Sequence, residues 1–347
     1  MSTETFSLSQ LGWRPFYSQQ LTLDDLDIGF PARVASVQRS HLVVLAESGE
    51  HSIRAEPAVT VGDWVLVRNQ TLYALRVFNR ESLIARLAPG TEQRTQLIAA
   101  NVDTLLIVTS CNADFNLSRL ERYLAVAFEA QVTPIIVLTK ADECADAAPF
   151  VTRAQGVAST ASVIALNATD ATGSIAALAP WLGAGQTVAF VGSSGVGKST
   201  LISSLLGVQA QSTGAIREAD SKGRHTTTAR HLIRAPAGVW LIDTPGMREL
   251  AIGAVQTGIE KTFGDIEELA KHCRYRDCSH QQDDGCALRA AVANGRLEPR
   301  RFASYLKLGR EAERALRKPW QRHQEERQFG RLARAAQKQR RRDTGRE

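Results

Sequence analysis

Eight consecutive residues, Gly192 to Ser199, have the types and spacing of a loop that binds phosphate. They read Gly-Ser-Ser-Gly-Val-Gly-Lys-Ser, the full Gly-x-x-x-x-Gly-Lys-Ser pattern. In such a loop, glycines let the backbone turn so tightly that its N–H groups point at phosphate oxygens. Lys198 then supplies charge to the β and γ phosphates, and Ser199 offers a hydroxyl to Mg²⁺. The predicted phosphate-binding residues are Gly192, Ser193, Ser194, Gly195, Val196, Gly197, Lys198, Ser199 and Thr200.

A second candidate magnesium ligand follows an apolar run. Residues 239–242 read Val-Trp-Leu-Ile, which predicts a buried strand, and Asp243-Thr244-Pro245-Gly246 comes directly after it. At the end of a strand, Asp243 can hold Mg²⁺ through water while Gly246 approaches the γ phosphate. Read alone, the tetrapeptide also fits an ordinary turn.

The polar segment 223–228, Gly-Arg-His-Thr-Thr-Thr, lies between these two motifs and lacks apolar periodicity. It is typical of a mobile first switch in which a threonine completes the magnesium shell. The sequence leaves open which of Thr226, Thr227 and Thr228 has that role, and Thr227 is taken as the candidate.

A guanine-binding motif is predicted at Thr139-Lys140-Ala141-Asp142, which ends the apolar run 134–138. The Asp142 carboxylate can accept from the two N–H groups on the Watson–Crick edge of guanine. Adenine has no such pair of donors, so Asp142 favours GTP over ATP. This motif precedes the phosphate loop, whereas an unpermuted P-loop GTPase meets it last. The order therefore predicts a circularly permuted GTPase.

Together these motifs resemble the ribosome small-subunit-dependent GTPase A (RsgA) family, most closely at 223–228 and in the cysteine-rich segment described next. The resemblance implies a GTPase that binds the small (30S) ribosomal subunit and 16S rRNA in late subunit maturation. Two alternatives stay open: another permuted GTPase acting on the large subunit, and an RNA-binding module that holds GTP without significant catalysis. A permuted GTPase that acts on the large subunit should lack both an N-terminal β-barrel and a cluster of Cys and His residues, and this sequence predicts both.

Four metal ligands lie within 14 residues, in the pattern Cys-x4-Cys-x-His-x5-Cys. They suffice for one structural tetrahedral zinc site. The alternatives are reduced surface thiols or a disulfide, and His272 is a rival ligand whose spacing fits the family less well. The predicted ligands are Cys273, Cys278, His280 and Cys286.

The catalytic residue is suggested by an absence. Met247 follows Gly246, where Ras-type GTPases place a water-orienting glutamine, and a thioether cannot donate a hydrogen bond to water. The resemblance points instead to His225. Otherwise, His225 is a polar loop residue or an RNA contact.

The remaining chain must position these motifs. Five short strand-forming runs, 32–37, 42–45, 51–54, 63–67 and 72–78, predict a small barrel. The resemblance implies an oligonucleotide-binding (OB) fold, although strand number alone also allows an SH3-like barrel. The barrel's arginines either face RNA or are merely solvated: Arg33, Arg39, Arg54, Arg68 and Arg76.

Alternating strands and helices follow, including a strand at 102–109 and a helix at 117–130, and they predict a doubly wound α/β domain. The fold class is thus multidomain α/β with a C-terminal α-rich zinc-binding region. The predicted divisions are a peripheral N-terminal extension (1–29), an OB-like barrel (30–88), the GTPase domain (89–262), the zinc-binding region (263–309) and a basic tail (310–347).

Positive charge is concentrated in the tail, which has 13 Lys and Arg against 6 Asp and Glu. This net charge of +7 leaves −1 for the rest of the chain, since the total is +6. Such a tail favours RNA binding over a solvated helix. No apolar stretch reaches the roughly 20 residues that span a membrane. We therefore expect a soluble, cytoplasmic protein. We also expect it to be a monomer and to bind GTP and GDP.

Overall fold

The computed structural model describes residues 5–38, 40–54, 58–87, 95–158, 160–207, 230–243 and 255–316. Its strands are β1 Gly29–Val37, β2 His41–Ala46, β3 Gly49–Arg54, β4 Trp64–Arg68, β5 Ala74–Val77, β6 Leu83–Leu87, β7 Thr95–Ala100, β8 Thr104–Ser110, β9 Thr133–Thr139, β10 Ser162–Ala165, β11 Thr187–Val191, β12 His231–Arg234 and β13 Trp240–Asp243. Its helices are α1 Pro15–Ser18, α2 Leu23–Ile28, α3 Leu117–Glu129, α4 Ala148–Gln155, α5 Ala171–Leu178, α6 Lys198–Leu206, α7 Gln256–Thr262, α8 Gly264–Ala270, α9 Ala287–Ala293 and α10 Pro299–Leu316, with a 3-10 turn at Ala179–Trp181.

The first five strands form an antiparallel sheet in the order β3-β2-β1-β4-β5. Three strands joined by short connections and a fourth that returns beside the first make a Greek key. Each of the five runs singled out in the sequence overlaps one of these strands, and four of the strands extend beyond the predicted bounds. A small apolar core lies within this unit and includes Val34, Val44 and Val65.

The central sheet has the order β10-β9-β8-β11-β13-β12, and all neighbours in it are parallel except β12 and β13. All seven residues of β8 are buried, as expected when helices cover both faces of a parallel sheet. Strands β9 and β11 both run parallel to β8, which lies between them, so the loops that follow β9 and β11 emerge at the same edge of the sheet. Ligands of open α/β sheets bind beyond these carboxyl ends.

The N-terminal segment differs from the prediction of a peripheral extension. Leu11 and Tyr17 are 0% and 1% exposed. They belong to the same apolar cluster as Trp64 of β4 and Trp240 of β13. The indole Nε1 of Trp240 also donates to the carbonyl oxygen of Gln10 at 2.8 Å. The prediction was wrong because the residues that bury this segment, Trp64 and Trp240, lie far along the chain and no local pattern marks them as its partners.

Two predicted domain boundaries also separate residues that belong to one structural unit. A division at residue 88 separates β6 from β7, but these strands pair with each other as a hairpin. A division at residue 309 cuts α10, whose amphipathic pattern continues to Leu316. The remainder of the basic tail, 317–347, lies outside the described residues.

Arg33 is not an RNA-facing residue. Its side chain is 1% exposed and donates to the carbonyl oxygen of Leu11 and to Oγ1 of Thr187, each at 2.5 Å. Burial lowers the pKa of its guanidinium to about 10. Arg33 therefore joins β1, the N-terminal segment and β11. The other barrel arginines within the described residues, Arg54, Arg68 and Arg76, are not fully buried.

Within the described ranges, no helix is both long enough and apolar enough to cross a membrane.

Candidate functional site

The phosphate-loop sequence connects β11 to α6 at the carboxyl edge of the central sheet. Gly192 has a φ of +152°, and a Cβ built there would lie 2.1 Å from the carbonyl oxygen of Val108. Only glycine allows the loop to cross β8 this closely. Gly195 and Gly197 also have positive φ angles, +79° and +86°. These glycines curve the backbone from the end of a buried strand to the start of a helix, the arrangement that a phosphate cradle requires.

Lys198 opens α6 and folds back over the loop. Its Nζ donates to the carbonyl oxygens of Gly192 at 2.8 Å and Ser193 at 2.5 Å. The ammonium thus lies above the first residues of the loop, where a phosphate-loop lysine meets the β and γ phosphates. Ser194, Gly195 and Ser199 are exposed on this side, so the loop is open to solvent.

Thr139 connects the predicted guanine motif directly to the loop. It is 0% exposed, and its hydroxyl faces the carbonyl oxygen of Val196 at 2.6 Å and that of Thr109 at 3.0 Å. A Cβ at Gly197 would lie 3.3 Å from its Oγ1. The side chain therefore lies beneath the loop and supports it.

The rest of the guanine motif turns outward after β9. Lys140 adopts a φ of +57°, and Asp142 is exposed two residues later. Ala141, between them, is partly buried. An exposed carboxylate beside the loop is accessible to a base. Asp243 is likewise exposed at the end of β13, next to β11. The candidates His225, Thr227 and Gly246 lie outside the described residues.

The predicted zinc ligands converge between α8 and α9. One ligand atom from each of Cys273, Cys278, His280 and Cys286 lies within 4.8 Å of all the others. Nδ1 of His280 is 3.6 Å from the sulfurs of both Cys273 and Cys286. Tetrahedral zinc with Zn–S of about 2.3 Å and Zn–N of about 2.0 Å separates its ligands by roughly 3.5 to 3.8 Å. The side chains therefore fit one zinc ion.

Neighbouring groups organise this cluster. The Asp283 carboxylate accepts from the backbone N–H and hydroxyl of Ser279 at 2.8 and 2.6 Å, which fixes the loop between two ligands. Desolvation lowers the pKa of His280, which favours the neutral imidazole that binds metals. The ring of Tyr305 on α10 lies near the imidazole ring of His280. The Tyr305 hydroxyl donates a hydrogen bond to a carboxylate oxygen of Glu267 at 3.0 Å.

Helix α3 joins the loop to the C-terminal helices. Near its start, Nη1 of Arg119 donates to Oγ of Ser193 in the loop. Half a turn later, Glu121 is 0% exposed and binds Arg300 of α10 through both carboxylate oxygens, at 2.9 and 3.2 Å. Arg301 adds a 3.0 Å bond to Glu121 and pairs with Asp265 of α8 at 2.6 Å.

Sequence reasoning missed this α3 network. Arg119 and Ser193 are 74 residues apart, and Glu121 and Arg300 are 179 apart. Ser193 lies in the phosphate-loop motif, but no motif marks Arg119, Glu121 or Arg300. The one available signal was Glu121 itself, a charged residue on the predicted inward half of an amphipathic helix, which requires a buried partner.

Comparisons with known proteins agree with this geometry. A family model described as RsgA GTPase matches residues 77–253. A protein from Vibrio vulnificus (strain CMCP6), named small ribosomal subunit biogenesis GTPase RsgA 2, is 51% identical over 313 residues, 89% of each chain. A protein from Mesorhizobium japonicum, named small ribosomal subunit biogenesis GTPase RsgA, is 49% identical over 88% of this chain and 90% of its own.

Two solved structures share the fold. YjeQ from Thermotoga maritima matches 83% of this chain and 99% of its own with a TM-score of 0.60 at 21% identity. YloQ, described as a circularly permuted GTPase, matches 84% of this chain and 97% of its own with a TM-score of 0.58 at 22% identity. The permuted arrangement predicted from motif order is confirmed.

Proposed function

This chain belongs to the RsgA GTPase family, and we propose that it binds the small ribosomal subunit late in its maturation and leaves when GTP is hydrolysed. It is a GTP hydrolase of small-subunit biogenesis. The structural observation that carries the proposal is the contact of Thr139 with Val196. This contact supports a site in which the predicted guanine motif and the phosphate loop lie side by side at the edge of the sheet.

In the proposed site, Asp142 reads the guanine and Lys140 and Ala141 complete its turn. The amides of residues 192–200 and the Lys198 ammonium hold the phosphates. Ser199, Thr227 and Asp243 hold Mg²⁺, which neutralises charge on the β and γ oxygens when bound. Gly246 approaches the γ phosphate. Exposure of Asp142, Ser199 and Asp243 supports these assignments.

His225 is the proposed residue that orients the attacking water. An imidazole accepts a hydrogen bond from water, whereas the Met247 thioether does so only weakly. On the docked subunit, His225 would orient the water that attacks the γ phosphate. Intrinsic hydrolysis is then slow and hydrolysis on the subunit is fast.

The flanking regions are proposed to bind 16S rRNA. The Greek-key order of β1 to β5 supports an OB-type barrel, which commonly binds oligonucleotides. A Cys₃His zinc site supports a compact C-terminal RNA-binding region, and the basic tail adds phosphate contacts. We propose that the protein acts as a monomer with these three parts around one GTPase core.

The test is GTP turnover by the full chain, alone and with purified small or large subunits. We expect small subunits, but not large subunits, to stimulate GTP turnover. The His225→Ala variant should keep GDP affinity and subunit binding but lose most of the stimulation, since such roles are worth about 10²- to 10⁴-fold. Equal stimulation by large subunits would contradict the choice of partner. A His225→Ala rate equal to wild type would exclude His225.

A further inference from the structure

Arg119 stands beside the phosphate loop without an ion-pair partner among the residues that the structure describes. Its backbone N–H is fixed by the α3 cap, donating to Oδ1 of Asn116 at 2.9 Å. The guanidinium reaches across to the loop and donates to Oγ of Ser193. No carboxylate of the described residues forms an ion pair with it, although other arginines in contact with α3 do form them: Arg122 with Glu311, Arg300 with Glu121 and Arg301 with Glu121 and Asp265.

The position of Lys198 shows which part of the nucleotide Arg119 faces. The Lys198 ammonium binds the carbonyl oxygen of Ser193, the residue whose hydroxyl Arg119 binds. Because that ammonium marks where the β and γ phosphates bind, Arg119 approaches the same end of the triphosphate. Two cations therefore converge on one loop residue.

A neutral hydroxyl is a weak partner for a guanidinium. Arginine has five N–H donors in a planar fork that matches phosphate geometry, and charge-assisted hydrogen bonds are about twice as strong as neutral ones. A bound triphosphate would offer anionic oxygens on the side of the loop where Arg119 now binds Ser193. Exchanging the hydroxyl for a phosphate oxygen is therefore favourable, and the flexible arginine stem allows a short movement.

We propose that Arg119 is an arginine supplied in cis to the γ phosphate, an inference that rests on the GTPase function proposed above. During hydrolysis, the water oxygen bonds to the γ phosphorus while the bond from that phosphorus to the β–γ bridging oxygen breaks. The electron pair stays on GDP, and the protons of the water remain with inorganic phosphate. Arg119 transfers no proton. It stabilises negative charge on the γ oxygens and the bridging oxygen as they separate.

The alternative is that Arg119 only braces the loop through Ser193. The two roles differ in what Ser193→Ala does. If Arg119 is a brace, removing either partner breaks the same bond and both variants lose activity equally. If Arg119 acts on phosphate, Ser193→Ala leaves the guanidinium in place and should be much less damaging than Arg119→Ala.

The experiment measures single-turnover GTP hydrolysis and GDP affinity in the full chain, with and without small subunits. Arg119→Ala should lower kcat by about 10²- to 10³-fold, the usual cost of removing one donor to developing charge, while GDP affinity changes little. Arg119→Lys should recover part of kcat. Arg122→Ala removes an arginine from the same helix that pairs with Glu311 and should keep the wild-type kcat.

Two results would overturn the inference. One is a wild-type kcat in Arg119→Ala. The other is equal loss in Arg119→Ala and Ser193→Ala together with weakened GDP binding, which would identify a brace. If Arg119→Ala does not fold, judged by thermal unfolding, Arg119→Lys decides: a wild-type kcat there excludes a role for the guanidinium fork. A wild-type chain without GTPase activity would overturn the proposed function together with this inference. An active wild-type chain with an equally active Arg119→Ala variant would overturn this inference alone.

Discussion

The hydroxyl of Thr139 and the carbonyl oxygen of Val196 are 2.6 Å apart, so the strand that ends in the guanine motif supports the phosphate loop from below. Thr139, the first residue of the predicted guanine motif, is therefore buried and faces the loop. One hydrogen bond therefore links the predicted guanine motif to the predicted phosphate loop.

Thr139→Val keeps the shape of this side chain and removes the shared bond. The buried Val196 carbonyl then loses its partner, which costs about 1 to 3 kcal/mol. We expect GDP and GTP affinities to fall together by roughly 5- to 150-fold. Titration with a fluorescent nucleotide measures this. Thr133→Val, at the exposed start of the same strand, is the control and should bind as wild type.

Asp142→Asn tests base recognition. The new amide loses charge-assisted bonds from the guanine N–H groups, each worth about 1.5 to 3 kcal/mol, and it can donate to the 2-carbonyl of xanthine. We expect weaker GTP binding and new binding of xanthosine triphosphate in competition assays. An unchanged preference for guanine would exclude Asp142 as the residue that reads the base.

Glu121→Gln tests the buried junction between α3 and α10. Removing one partner of a buried ion pair costs about 3 to 5 kcal/mol. Arg300 and Arg301 would lose the buried carboxylate that they share and keep only the more exposed Glu298 and Asp265. Urea unfolding should show this loss. Glu298→Gln removes another partner of Arg300, one that is 56% exposed, and exposed pairs contribute only about 0 to 1 kcal/mol. Equal effects of the two variants would contradict a junction held by Glu121.

Removal of zinc, by chelation or by Cys278→Ser, tests the metal centre. About one zinc per chain should be released, and the region around α8 and α9 should unfold because the energy of metal binding is also folding energy. GDP binding should survive. The phosphate loop packs through Val196, Leu201 and Leu205 into an apolar cluster separate from the one containing Cys286. Metal analysis with nucleotide titration gives both readouts, and loss of both functions together would show that the two regions fold as one.

Sites whose residues lie close together in the chain could be predicted from the sequence, whereas contacts between distant residues could not. The ligands around His280 are close in the chain, so their geometry follows from a few turns of backbone. Gly192 and Lys198 are likewise fixed by one strand and one helix. Arg119 and Glu121 could not be assigned because their partners are 74 and 179 residues away. Leu11 was misplaced for the same reason: the residues that bury it, such as Trp64 and Trp240, are far from it in the chain.

The bond from the Trp240 indole to the Gln10 carbonyl also sets an order for folding during synthesis. Gln10 leaves the ribosome early, yet its partner is added 230 residues later. At about 5 to 20 residues per second, Gln10 waits on the order of 10 to 50 s for Trp240 to be added. Closing this seam is a contact of very high sequence separation, which is slow to form. The first residues made are thus among the last to reach their final packing.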